Sequence, residues 1–411
     1  MPVSRKRKKA RKPAPAKRVQ NHIVSVPAPQ PALIDELLTA RSELDAGRRV
    51  AAAGPARDLV AGIAEFAPGR TGAEVEDELC VRLGPLLAEM EGRTGVEDYI
   101  SADLFAEVLL GVVIEQATEG TLGHAVLAAV AGIVPWTPRL VEVPPQFPGG
   151  ENLLADRPLA GEVLWTRDAY GSRVGVLAPF DAEGTVRWYL WDVDACTFKP
   201  FTVHSGFYAN PEAALDAWRA GVGATTAAGA QWSPADIATI GDVVPQFEGP
   251  LRFGGEHAAQ FAEYYRARRL AGTLLELDGS GVTTNPPVGR ETAAREFADY
   301  LTGRGIVAAD DVGDVAEALA ESWGDAESDT FFATCSPHRV AAMTVHIREY
   351  YDDEFGPTVL TAMPAWVDWL GERLGTPAEL IERCRPYAHG EWHPGLGTDQ
   401  RRPDYQARLI E

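Results

Sequence analysis

The sequence predicts an α+β fold: a helical unit, then a small antiparallel β-meander with one covering helix, then a second helical unit. Three observations carry this. Apolar residues recur at helical spacing up to Val134, alternate at strand spacing between Gly161 and His204, and return to helical spacing beyond a Val-Pro-Gln-Phe segment at 244–247. With 411 residues and 45% hydrophobic side chains, each unit is large enough to bury a core.

Residues 1–31 alternate Lys and Arg with Ala and Pro, and then give Val-Pro-Ala-Pro-Gln-Pro. Like charges repel and proline removes helix, so a disordered basic arm is expected. Residues 32–143 form the expected first helical unit, with four or five helices packed as a bundle. Val75, Leu79, Leu83, Leu86 and Met90 make one apolar stripe, and Thr71 with Glu74 makes a capping box ahead of it. Similar stripes run from Ile34 to Leu44 and from Leu104 to Val113.

Pro-Pro-Gln-Phe-Pro-Gly-Gly at 144–150 reads as a linker into a sheet unit at 151–243. Four strand-like runs follow: Gly161–Arg167, Ser172–Phe180, Thr185–Asp194 and Thr197–His204, joined by short turns. In the third run Val186, Trp188 and Leu190 share one face while Tyr189, Trp191 and Val193 share the other. Apolar on both sides, it is expected to be central. Asn210-Pro211-Glu212 supplies an N-cap and a proline at the first helical position for the covering helix.

One helix cannot cover two apolar faces. A surplus aromatic face, carried by Trp165, Trp188, Tyr189 and Trp191, is therefore expected to meet a neighbouring domain or a partner protein. The second helical unit spans 251–389, with stripes at 261–275, 291–301, 312–323, 338–351 and 359–374. Thr376-Pro377-Ala378-Glu379 reads as a capping box for its last helix. A loose tail is expected at 390–411.

Charge divides the chain sharply. The net formal charge is −21, yet Arg5, Lys6, Arg7, Lys8, Lys9, Arg11, Lys12, Lys17 and Arg18 all fall in the first eighteen positions, which hold no acid. The remainder has 29 basic and 59 acidic residues, a balance of −30. An acidic body repels phosphate, and its only evident basic group is Arg266, Arg268 and Arg269. The leader is a polycation able to pair with phosphates of any sequence by counterion release.

Cys80, Cys196, Cys335 and Cys384 are widely spaced and lack C-x-x-C pairing, so buried thiols are expected rather than disulfides. No apolar run reaches the roughly 20 residues that span a bilayer, and the basic start lacks a signal-like apolar core. A cytoplasmic protein of a GC-rich bacterium is the expectation, from sparse lysine outside the leader and abundant Ala, Gly and Arg.

Two constellations could carry chemistry. Tyr189-Leu190-Trp191-Asp192-Val193-Asp194 is an apolar strand ending in D-x-D, and so resembles the aspartate motif of haloacid-dehalogenase-type phosphotransferases; the resemblance implies a nucleophilic Asp192 beside Asp194. The following Ala195-Cys196-Thr197 departs from that pattern by leading into a strand instead of Gly-Thr and a helix. Cys384, His389 and His393 offer C-x4-H-x3-H, with Cys335 and His338 as further thiolate and imidazole donors for zinc.

No phosphate-binding glycine loop, dinucleotide fingerprint, nucleophile elbow or H-E-x-x-H occurs. No cofactor is therefore expected apart from that zinc. Three functions remain. The first is a non-enzymatic interaction or regulatory protein that docks another protein and whose basic arm binds nucleic acid or another polyanion. The second is a hydrolase or phosphotransferase using Asp192 and Asp194. The third is a metal-stabilised structural module.

Overall fold

The computed structural model of the chain describes residues 31–92, 95, 98–120, 122–134, 158–182, 184–196, 201–235, 261–276, 288–323, 332 and 334–396. The basic leader, the linker at 144–150, the Val-Pro-Gln-Phe segment at 244–247 and residues 397–411 lie outside them.

The α+β architecture is as the periodicities predict. Four helices come first: α1 (Pro31–Phe66), α2 (Gly72–Glu91), α3 (Ala102–Thr118) and α4 (His124–Ile133). The capping box before α2 forms: Glu74 donates its backbone N–H to Thr71 Oγ1 at 3.2 Å, and Thr71 N–H donates to Glu74 Oε2 at 2.8 Å.

The sheet contains β1 (Leu164–Arg167), β2 (Arg173–Ala182), β3 (Thr185–Asp194), β4 (Phe201–Tyr208) and β5 (Ser233–Pro234), in the order β4-β3-β2-β1-β5. Every pairing is antiparallel. The long third run is interior, flanked by β2 and β4, because its two faces are both apolar. β5 is an addition to the predicted meander; two residues are too few to show an alternation.

Helix α5 (Pro211–Val222) starts where the sequence places it, with Asn210 Oδ1 accepting from Ala213 N–H at 2.9 Å. Its Trp218 packs on the sheet over Gly175. A Cβ at that position would stand 3.1 Å from the indole and 3.2 Å from Thr166, so glycine is what lets α5 approach. Leu177, Leu190, Ala214 and Trp218 close this face.

The opposite face is the more heavily buried. Val174, Val176, Phe180, Tyr189, Trp191 and Val193 form one continuous core with α1 to α4 and with α6 (Tyr264–Glu276). Trp191 donates its indole N–H to the Ala267 carbonyl of α6 at 3.0 Å. Its ring meets Tyr189 edge-on at 4.7 Å and Phe180 at 6.2 Å.

A separate core belongs to α7 (Val288–Leu301), α8 (Val312–Trp323), α9 (Pro337–Tyr350), α10 (Gly356–Leu374) and α11 (Ala378–Ala388). Tyr170, in the turn between β1 and β2, inserts into it. Its hydroxyl donates to the Leu380 carbonyl at 3.2 Å, and its own carbonyl accepts from Cys335 N–H at 2.9 Å. This docking redirects Thr376: its hydroxyl donates to the Ala169 carbonyl at 3.0 Å, so the expected capping box does not form and Pro377 takes the N-cap position of α11 without a side-chain cap. A long-range hydrogen bond has displaced a local one.

Candidate functional site

The pair expected to do phosphoryl chemistry, Asp192 and Asp194, ends β3 beside Arg173 of β2. Asp192 points to the α5 side and is 2% exposed. Both its oxygens are taken by one guanidinium: Arg173 Nε donates to Oδ1 at 2.6 Å and Nη2 to Oδ2 at 2.7 Å. This is the bidentate fork that arginine makes with carboxylates. Burial raises the Asp192 pKa above the ordinary carboxylate range, and the Arg173 hydrogen bonds and charge pull it back. Asp194 lies 3.6 Å from Arg173 Nη1 and accepts the backbone N–H of Cys196 at 2.8 Å.

A third carboxylate, Asp168, completes the group. It accepts the backbone N–H groups of Ser172 at 2.7 Å and Arg173 at 3.0 Å, and the Ser172 hydroxyl at 3.2 Å. Burial pushes its carboxyl up to about 6 despite those donors. A nucleophilic carboxylate needs a free lone pair facing a substrate. Here Asp192 forms a cross-strand clamp with Arg173.

A second polar group, not foreseen from the sequence, lies on the opposite face where α2, β3 and α6 meet. Arg266 is 3% exposed and contacts three carboxylates: Glu76 at 3.2 Å, Asp77 at 2.5 Å and Glu263, whose Oε2 accepts from Nε at 2.7 Å. Tyr189 donates its hydroxyl to Glu263 at 2.9 Å, and Arg187 reaches Asp77 at 2.7 Å. Both guanidinium groups lie over the Phe207 ring, Arg187 at 4.2 Å and Arg266 at 5.0 Å. Burial and the neighbouring Glu263 hold the Tyr189 phenol well above its usual pKa, which leaves it a hydrogen-bond donor.

These contacts bear on two sequence readings. Arg266 is no part of a basic surface, and Arg268 is spent on Asp103 at 2.7 Å. Tyr189 and Trp191, expected on a surplus face that meets a neighbouring domain or a partner protein, are 0% exposed and pack against this chain's own helices, the first of those two alternatives. Trp165 and Trp188 are half-buried on opposite faces of the sheet.

The expected zinc set is not gathered. Cys384 is buried with its Sγ 3.9 Å from the Cys335 carbonyl, His389 is exposed at the end of α11, and the His393 ring packs against Tyr387 at 4.8 Å and His338 at 5.5 Å. Among the described residues no three His, Cys, Asp or Glu side chains converge as a metal site. The four cysteines are free thiols, and burial, reinforced by Asp194, raises Cys196 to about 12.

No known protein family, curated protein or solved structure matches this chain. Its chemistry must be read from its own geometry. A depression of about 550 Å³ at the end of α5 is lined by Arg219, four alanines and Gly229. Its only titratable side chain, Arg219, donates to the Ala230 carbonyl at 2.5 Å. No described helix is long and apolar enough to cross a membrane.

The signal for the Arg266 group was present but spread over 190 positions. Glu76 and Asp77 look like the solvated side of an amphipathic helix, and Arg266 like a surface charge, until tertiary packing brings them together.

Proposed function

We propose that this chain is a cytoplasmic, non-enzymatic interaction protein whose residues 1–18 tether it to a polyanion, DNA or RNA, while its folded units dock a partner. The observation that carries the reading is the charge division: nine cations without one acid in eighteen residues, joined to a remainder of net charge −30. Such a remainder is repelled by phosphate, so attraction has to come from the leader. Engagement of Asp192 by Arg173 supports a structural use of the carboxylates that a phosphotransferase would require free.

The test is a full-length variant in which Arg5, Lys6, Arg7, Lys8, Lys9, Arg11, Lys12, Lys17 and Arg18 are all glutamine. Binding of a fluorescent DNA duplex, followed by anisotropy at low salt, is expected for the natural chain and lost in the variant. Equal binding by both proteins refutes the tether.

A further inference from the structure

The turn between β1 and β2 is a place where the sheet meets the second helical unit, and three consecutive residues make the contact. The Ala169 carbonyl accepts from the Thr376 hydroxyl at 3.0 Å, the Tyr170 carbonyl from Cys335 N–H at 2.9 Å, and the Gly171 carbonyl from the Thr334 hydroxyl at 3.0 Å. Tyr170 adds its own hydroxyl, which donates to the Leu380 carbonyl at 3.2 Å. Turning three successive carbonyls toward one neighbour needs a sharply bent backbone. Gly171 supplies it with a φ of +68°, in the left-handed region.

The bend is held by Asp168, which is 6% exposed. Its Oδ1 accepts both backbone N–H groups on the far side of the turn, Ser172 at 2.7 Å and Arg173 at 3.0 Å, while Oδ2 faces the Ser172 hydroxyl at 3.2 Å. This division of labour between the two oxygens suits the neutral acid as well as the carboxylate. With a proton on Oδ2, that oxygen donates to the Ser172 hydroxyl and Oδ1 keeps both backbone donors. Protonation therefore removes a buried charge without removing a contact.

The surrounding charges do not offset the ionised form. Asp194, at the end of β3, repels it. Arg173 is committed to Asp192 and Asp194, and Arg339 of α9 donates to the Ala195 and Trp323 carbonyls. Cys196 after β3 is a free thiol, and the loop after α5 meets the turn through the Thr226 carbonyl, which accepts from Ala169 N–H at 2.9 Å. From the second helical unit Cys335, Cys384 and Arg383 stand around the Tyr170 ring. Burial outweighs the hydrogen bonds and holds the Asp168 carboxyl at about 6, against an ordinary value of 3.8. Between those values the folded chain keeps a proton that the unfolded chain has released. The stability this group contributes is thus fully present below about pH 4 and is lost as the pH rises through about 6. We infer that the β1–β2 turn is a proton-operated latch, closing more firmly on the second helical unit in mildly acidic surroundings and loosening at neutral pH. The latch is independent of the leader and its polyanion.

The backbone amide of Cys335 reports the latch directly, because its N–H is bonded to the Tyr170 carbonyl. The experiment follows hydrogen exchange of that amide in the full-length protein, corrected for the intrinsic exchange rate. Lowering the pH from about 7.5 to about 5 is expected to raise its protection about tenfold, with the rise beginning near pH 6. Asp168→Asn copies the protonated state, since its carbonyl oxygen can take the two backbone donors and its amide can donate to Ser172. Protection in that variant is expected to be constant over the same range, so that its advantage over the natural chain shrinks about tenfold between the two ends. Protection in the natural chain that does not vary with pH overturns the latch, and this result can be read even if the variant does not fold. A ratio between the two proteins that is the same at both ends overturns it as well.

Discussion

Replacing Arg266 with methionine is expected to destabilise the protein by about 3–5 kcal/mol, read as a lower urea midpoint in far-UV circular dichroism at unchanged slope. Methionine keeps much of the side-chain volume but removes the guanidinium that contacts Glu76, which is 1% exposed. Glu263 loses its guanidinium partner as well and keeps only the Tyr189 hydroxyl among its short contacts. Burying a carboxylate without a partner is costly in a way that losing an exposed ion pair is not. A loss below about 1 kcal/mol would mean that water reaches these carboxylates and that the group does not hold α2, β3 and α6 together.

Trp191→Ala is expected to cost a similar amount, about 3–5 kcal/mol, through a cavity at the junction of the sheet with α6. The indole is fully buried, donates to the Ala267 carbonyl and packs edge-on against two rings. Truncation therefore removes apolar contact and leaves a carbonyl with one donor fewer. The contrast with Trp392→Ala is informative. Removing that exposed ring should change the urea midpoint by no more than about 0.5 kcal/mol. Had Trp191 belonged to a partner-facing surface, the two substitutions would have similarly small effects on the isolated chain.

What could be read from the sequence is what depends on near neighbours. The alternation from Thr185 to Asp194 gave β3 residue for residue, and Thr71 with Glu74 and Asn210 with Pro211 marked real helix starts. Thr376 satisfies the same local rule and fails it, because Tyr170 and Ala169 of the sheet dock against α11 and compete for its hydroxyl. The two apolar faces of β3 correctly required two covers. Nothing in that pattern says that the second cover comes from residues 52–134 and 264–274 of the same chain.

The polar groups show the limit more clearly. D-x-D at a strand end says nothing of what its carboxylates touch, and the residue that engages Asp192, Arg173, is on the neighbouring strand nineteen positions earlier. Likewise His338 and His393 are 55 positions apart and meet only because α9 packs against the segment after α11. Charge composition needs no such packing, which is why the division between leader and body is visible at once.

The salt dependence of polyanion binding tests that division most directly. If the nine leader cations each neutralise one phosphate of duplex DNA, the logarithm of the binding constant should fall with the logarithm of salt concentration with a slope approaching roughly −8. The glutamine variant should show no measurable binding from which to draw a line. A slope near zero for the natural chain, or the same steep slope in both proteins, would contradict the account.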